Sequence, residues 1–145
     1  MKGMSAIVQT VSRLVAGMLF LFGCYIILHG HLTPGGGFAG GVIVAAAFIL
    51  QSLAFGSVEA TEQHRYTFTS VFESMGGLGF VLIGFIGYAA GHEFLRNVWA
   101  SFGEPLRLVS AGTIPLANIA IGMKVGAGLF AIFLALGASR FKMKD

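Results

Sequence analysis

Apolar residues along this chain do not alternate with polar ones at the spacing of a half-buried strand or a surface helix; they run on uninterrupted. Residues 14–28 and 38–55 contain no charge at all, residues 71–91 contain only Glu73, and residues 114–139 contain only Lys124. A helix needs about 20 mostly apolar residues to cross a hydrocarbon core of about 30 Å. The pattern therefore predicts four transmembrane helices, at about 8–29, 37–56, 71–91 and 114–139. The first reaches that length because the uncharged stretch 7–12 adds turns beyond Arg13, which sits at headgroup depth. The expected fold class is all-α: one membrane domain over residues 1–145, a bundle of four spans.

The segments between the runs are of three kinds. Residues 29–38, His-Gly-His-Leu-Thr-Pro-Gly-Gly-Gly-Phe, form a glycine hairpin between the first two spans. Residues 56–70 carry Glu59, Glu62, His64 and Arg65, a polar connection short enough to make the second and third helices antiparallel neighbours. Residues 92–112 mix Glu93, Arg96, Glu104, Pro105 and Arg107 with apolar positions and suit an interfacial segment anchored by Trp99. On the third span Gly84, Gly87 and Gly91 share one face, and a further helix is expected against it.

Composition agrees with the pattern: 56% of residues are hydrophobic and 10% charged, where soluble domains carry about 25% charged residues. The net charge of +3 comes from basic residues at span ends and forms no patch for nucleic acid. Lys2, Arg13, Arg140, Lys142 and Lys144 place both termini in the cytoplasm by the positive-inside rule, so that the hairpin faces outward; Arg96 and Arg107 oppose this assignment. The lone Cys24 lies within an apolar run and reads as a small hydrophobe. The first apolar run could imitate a signal peptide, and residues 21–24 a lipoprotein cleavage site. Both readings are rejected, because further spans follow at once and no flexible tether would remain.

Few residues could carry chemistry. In the hairpin, Pro34 ends the first helix and Gly35, Gly36 and Gly37 permit backbone conformations closed to other residues. Gly36 with Gly40, and Gly37 with Gly41, form two offset small-xxx-small pairs, which predicts packing against protein. His29 and His31 could handle protons or simply sit in the interface, and their spacing points them in different directions. Lys124 cannot stand outside the last span, because the 15 uncharged residues after it reach only about 22 Å. A lysine at the bilayer centre costs about 2.5 to 3.5 kcal/mol, so it either snorkels to the headgroups or faces a polar partner within protein. Asn118 and the Gly122-xxx-Gly126 pair favour the protein-facing position. Glu73 is expected in the first turn of the third helix, where the dipole favours it, with a role at an inner channel mouth as the alternative. On that topology Glu73 is cytoplasmic, Lys124 lies in the outer half, and the two do not pair. Nucleotide, hydrolase, zinc-protease and redox motifs are all lacking, so neither catalytic residues nor a metal or cofactor are expected.

Residues 28–41, Leu-His-Gly-His-Leu-Thr-Pro-Gly-Gly-Gly-Phe-Ala-Gly-Gly, resemble the signature of the MrpB (MnhB) subunits of multisubunit cation/proton antiporters. Residues 112–126, from Gly112 to Gly126, resemble the final-helix motif of the same family. The resemblance implies a small subunit of a bacterial plasma-membrane complex of six or seven proteins. That complex exchanges cytoplasmic Na⁺ for external protons, and its large subunits resemble the pumping subunits of respiratory complex I. It implies support of assembly and a possible share in lining the Na⁺ or proton path. Thr33, Pro34, Gly35, Gly36, Gly37, Phe38, Asn118 and Lys124 carry over as motif residues. Two alternatives stand beside this: the equivalent subunit of an antiporter module in a membrane-bound hydrogenase, and a purely structural assembly protein. A self-sufficient small transporter is disfavoured, because it needs a central acidic residue and Glu73 is expected near a helix end.

Overall fold

A computed structural model describes residues 3–56, 62–101, 103–104, 106–107 and 110–142. Lys2, Glu59, Pro105 and Lys144, which entered the topology argument, lie outside the described residues, as do the side chains of Glu62, His64, Arg65, Arg140 and Lys142. The described residues form four helices: α1 (Ala6–Leu28), α2 (Gly36–Phe55), α3 (Glu62–Ala89) and α4 (Ile114–Lys142). Each contains a stretch long and apolar enough to cross a membrane.

The packing is not a closed ring of four. Helix α4 lies between its neighbours: α2 packs on one flank and α3 on the other, while α1 lies on α2 and touches α4 more lightly. The expectation that the second and third helices would be neighbours is thus corrected. Residues 62–70, read as polar connection, are the first turns of α3, and α4 separates that helix from α2.

Glycine explains the tight seam. A methyl group at Gly37 would strike the Asn118 carbonyl of α4, and one at Gly41 would come within 2.8 Å of the Gly122 carbonyl. Facing the other way, one at Gly40 would lie 2.7 Å from the Gly23 carbonyl of α1. Gly37 and Gly41 therefore meet α4 while Gly40 meets α1. Transmembrane helices associate by van der Waals fit rather than by leaving water, so backbone-to-backbone approach of this kind holds the bundle together.

The glycine face of α3 departs from expectation. It receives no helix: Gly84 lies under the Phe94 ring, Gly87 under the Glu93 carbonyl, and Gly91 has open space. Residues 92–96 fold back over it, with the Leu95 amide donating to the Gly84 carbonyl at 3.2 Å and the His92 amide to the Gly87 carbonyl at 3.0 Å. Glycine on a transmembrane face reports only close approach of some backbone, and here the backbone is that of the following loop.

Candidate functional site: an ion pair within the span

The hairpin first stops α1. The Thr33 amide and hydroxyl both donate to the His29 carbonyl, at 3.0 and 3.1 Å, closing the last turn. Gly35 and Gly36 then take φ angles of +145° and +82°, which a side chain would resist. No side chain of its own segment caps α2. Asn118 supplies an acceptor from across the seam, its Oδ1 receiving the Gly37 amide at 3.3 Å, so one amide that helix geometry leaves unpaired is satisfied. Pro34 and Phe38 are exposed, Phe38 by 65%.

The two histidines have separate surroundings. His29 stacks on Tyr25 with ring centroids 4.0 Å apart, its Nδ1 lying 3.0 Å from the Tyr25 carbonyl. His31 reaches the loop before α4, where its Nε2 donates to the Arg107 carbonyl at 3.2 Å, and its buried Nδ1 has no partner among the described residues.

Sequence reasoning missed Asn97. Its Nδ2 donates to the Ala111 carbonyl at 2.9 Å, and its Oδ1 accepts from the Thr113 amide at 2.9 Å and the Thr113 hydroxyl at 3.2 Å. It thereby fixes the residues that open α4, with Gly112 in the left-handed region at φ +61° beneath it. An isolated asparagine in an interfacial segment carries no sequence signal for that task.

The sequence reading misplaced Glu73. Glu73 is not in the first turn of its helix, because α3 begins eleven residues earlier, at Glu62. Even counted from Tyr66, where the apolar span begins, it stands about 10 Å along the helix. Lys124 stands about 15 Å from the start of α4. Both groups are therefore at membrane depth, and they meet: Lys124 Nζ donates to Glu73 Oε1 at 3.4 Å. The expectation that they do not pair is overturned by the early start of α3, and the objection that Glu73 is too peripheral for a transporter falls with it.

Small residues make the pairing possible. Gly76, one turn from Glu73, brings the two backbones together, so that a methyl there would lie 2.7 Å from both the Ala120 carbonyl and the Lys124 amide. The Lys124 stem lies over Gly77, and the Glu73 carboxylate lies over Gly128. The pair is nevertheless not enclosed: the lysine side chain is 53% exposed and the glutamate 40%. Beside it opens a cleft of about 420 Å³ lined by Gly77, Phe80 and Val81 of α3 and by Ile121, Lys124 and Val125 of α4. No group of three or more His, Cys, Asp or Glu residues suited to a metal occurs among the described residues.

Four apolar helices with an ion pair set between two of them define a multi-pass membrane protein with a charged element inside its span. The family model for the domain related to the MnhB subunit of the Na⁺/H⁺ antiporter matches residues 7–131, and the chain belongs to that family. It is 33% identical over 141 residues to a Staphylococcus aureus protein named for an antiporter subunit, mnhB2, covering 97% of this chain and 99% of that one. It is 41% identical over 117 residues to an uncharacterized protein of Methanocaldococcus jannaschii, covering 77% of this chain but only 44% of that protein. Among solved structures, a chain of the membrane-bound sulfane sulfur reductase, an archaeal respiratory membrane complex, superposes with a TM-score of 0.75 at 42% identity. That match covers 91% of this chain and 57% of the other. The chain thus spans about half the length of these two archaeal relatives.

Proposed function

We propose that this chain is a small, non-catalytic membrane subunit of a hetero-oligomeric cation/proton antiporter. In this reading it supports assembly of the complex and contributes the Glu73–Lys124 pair to the Na⁺ or proton path. The observation that carries the reading is the pair itself. Insertion of a lysine at mid-span costs about 2.5 to 3.5 kcal/mol, and an intramembrane ionisable group is by default a candidate for an ion or proton path. Gly76, Gly77 and Gly128 provide room for the two side chains, so the local sequence is adapted to hold them. Full-length similarity to a protein named for an antiporter subunit supports the assignment to such a complex. Both termini are cytoplasmic in this reading, which puts the hairpin on the outer side.

Removing the gene for this chain from the complex should abolish Na⁺-dependent collapse of ΔpH in everted vesicles. Lys124→Met and Glu73→Gln should each lower that exchange at least tenfold while the complex still assembles. Wild-type exchange in a complex lacking the chain would end the proposal, and wild-type exchange in both variants would leave the chain a purely structural role.

The likeness to the respiratory complex favours a second reading, in which the same subunit serves an antiporter module coupled to a redox enzyme. Neighbouring genes for redox subunits, and ion movement that depends on the redox substrate, would select it.

A further inference from the structure

The Glu73–Lys124 pair is neutral as a whole but incompletely bonded. Among the described residues the ammonium makes one hydrogen bond, at 3.4 Å, to one carboxylate oxygen. Two N–H donors and the second oxygen have no partner there, and with the side chains 53% and 40% exposed they are open to a group from outside the chain. The cleft that Lys124 helps to line offers nothing further, since its other lining groups are glycine and apolar side chains. Its floor, Ile121 and Val125, also abuts Gly37 and Gly41 of α2. The cleft is walled by α3 and floored by α4, and that floor continues to α2, which packs on α4 and not on α3.

Lipid tails filling this space would leave the donors unmet. A further charged group would add another insertion cost of about 2.5 to 3.5 kcal/mol to a pair whose charges already cancel. What fits is an apolar helix bearing one uncharged side chain that can both accept from Lys124 and donate to Glu73. Amides and hydroxyls do both, and unlike imidazole they do not take up a charge near neutral pH. We propose that the cleft beside Lys124, lined by α3 and α4, is the docking site for a transmembrane helix of another subunit. That helix presents an Asn, Gln, Ser or Thr at the depth of Lys124 and completes the bonding of the pair. The inference rests on the antiporter-subunit reading for the presence of such a partner.

A photo-crosslinking amino acid at Val81, on the cleft wall, tests it in membranes containing the whole complex, the adduct being located by mass spectrometry. The expected adduct lies in a transmembrane segment of a different subunit, within one helical turn of an Asn, Gln, Ser or Thr. An adduct to lipid alone, to a second copy of this chain, or to a helix lacking such a residue would overturn the proposal, as would no protein adduct. Val81→Trp gives an independent check by filling the cleft from a position already 44% exposed. It should lower recovery of intact complex in mild detergent at least tenfold while the isolated chain melts as the wild type does; undiminished recovery would count against the site. A crosslink to lipid with exchange still dependent on the chain would sink the docking site alone, whereas exchange indifferent to deletion of the chain would sink the functional reading.

Discussion

Gly76→Ala is the smallest change that should dislodge α3. The added methyl would meet the Ala120 carbonyl and the Lys124 amide at 2.7 Å and the Lys124 Cα at 3.0 Å, all of them backbone atoms of α4 that cannot rotate away. Ordinary contact begins near 3.4 Å, so the helices must separate locally by about 0.7 Å. Helix α3 packs on α4 and on no other helix among the described residues, so no second helix face holds it in place. Overpacking costs about 1–3 kcal/mol, against which alanine returns up to about 1 kcal/mol of helix propensity, leaving a net loss of up to about 2 kcal/mol. The same displacement lengthens a Glu73–Lys124 contact that is already 3.4 Å, beyond hydrogen-bonding range. The internal control is Gly79→Ala on the same helix, where the nearest atom is the Ala120 Cβ at 3.8 Å and the methyl is accommodated. Thermal denaturation in a mild detergent should place Gly76→Ala several degrees below wild type and Gly79→Ala at or slightly above it. If Gly76→Ala melts at or above Gly79→Ala, backbone contact at Gly76 does not hold the α3–α4 seam, and the account of how the ion pair is positioned is wrong.

Gly37→Ala should act in the same way on the α2–α4 seam, because its methyl would strike the Asn118 carbonyl; a lowered melting temperature is expected, with assembly failing before any change in ion affinity. Asn118→Leu removes the acceptor for the Gly37 amide and should cost about 1–3 kcal/mol, read as faster amide exchange in the first turn of α2. Asn97→Ala breaks three hydrogen bonds to Ala111 and Thr113 and should speed amide exchange across residues 110–117 while leaving α2 protected. Gly91→Ala faces open space, yet its φ of +76° belongs to glycine, so it should destabilise the end of α3 by about 1 kcal/mol through backbone strain alone.

The four spans were legible because crossing a bilayer is set by composition over about 20 residues, a local quantity that needs no knowledge of neighbours. The hairpin was legible for a related reason. Pro34 and the three glycines after it restrict or free particular backbone angles whatever surrounds them. Its glycine pairs announced close packing, but not that Gly37 and Gly41 would meet α4 while Gly40 met α1. Small residues permit approach without naming the partner, and on α3 the same signal was met by a loop.

The order of helices in the bundle was beyond the sequence, since chain order suggested α2 beside α3 and the fold sets α4 between them. So was the pairing of Glu73 with Lys124, two residues 51 positions apart. Their depths could be compared only once α3 was seen to begin at Glu62 within the polar connection, because polar residues near a membrane surface are as compatible with helix as with loop. Apolar length alone determined that this chain crosses the membrane four times. Which helices touch, and therefore where its two mid-span charges meet, was decided by shape fit between glycine-lined backbones, which exists only after the helices are brought together.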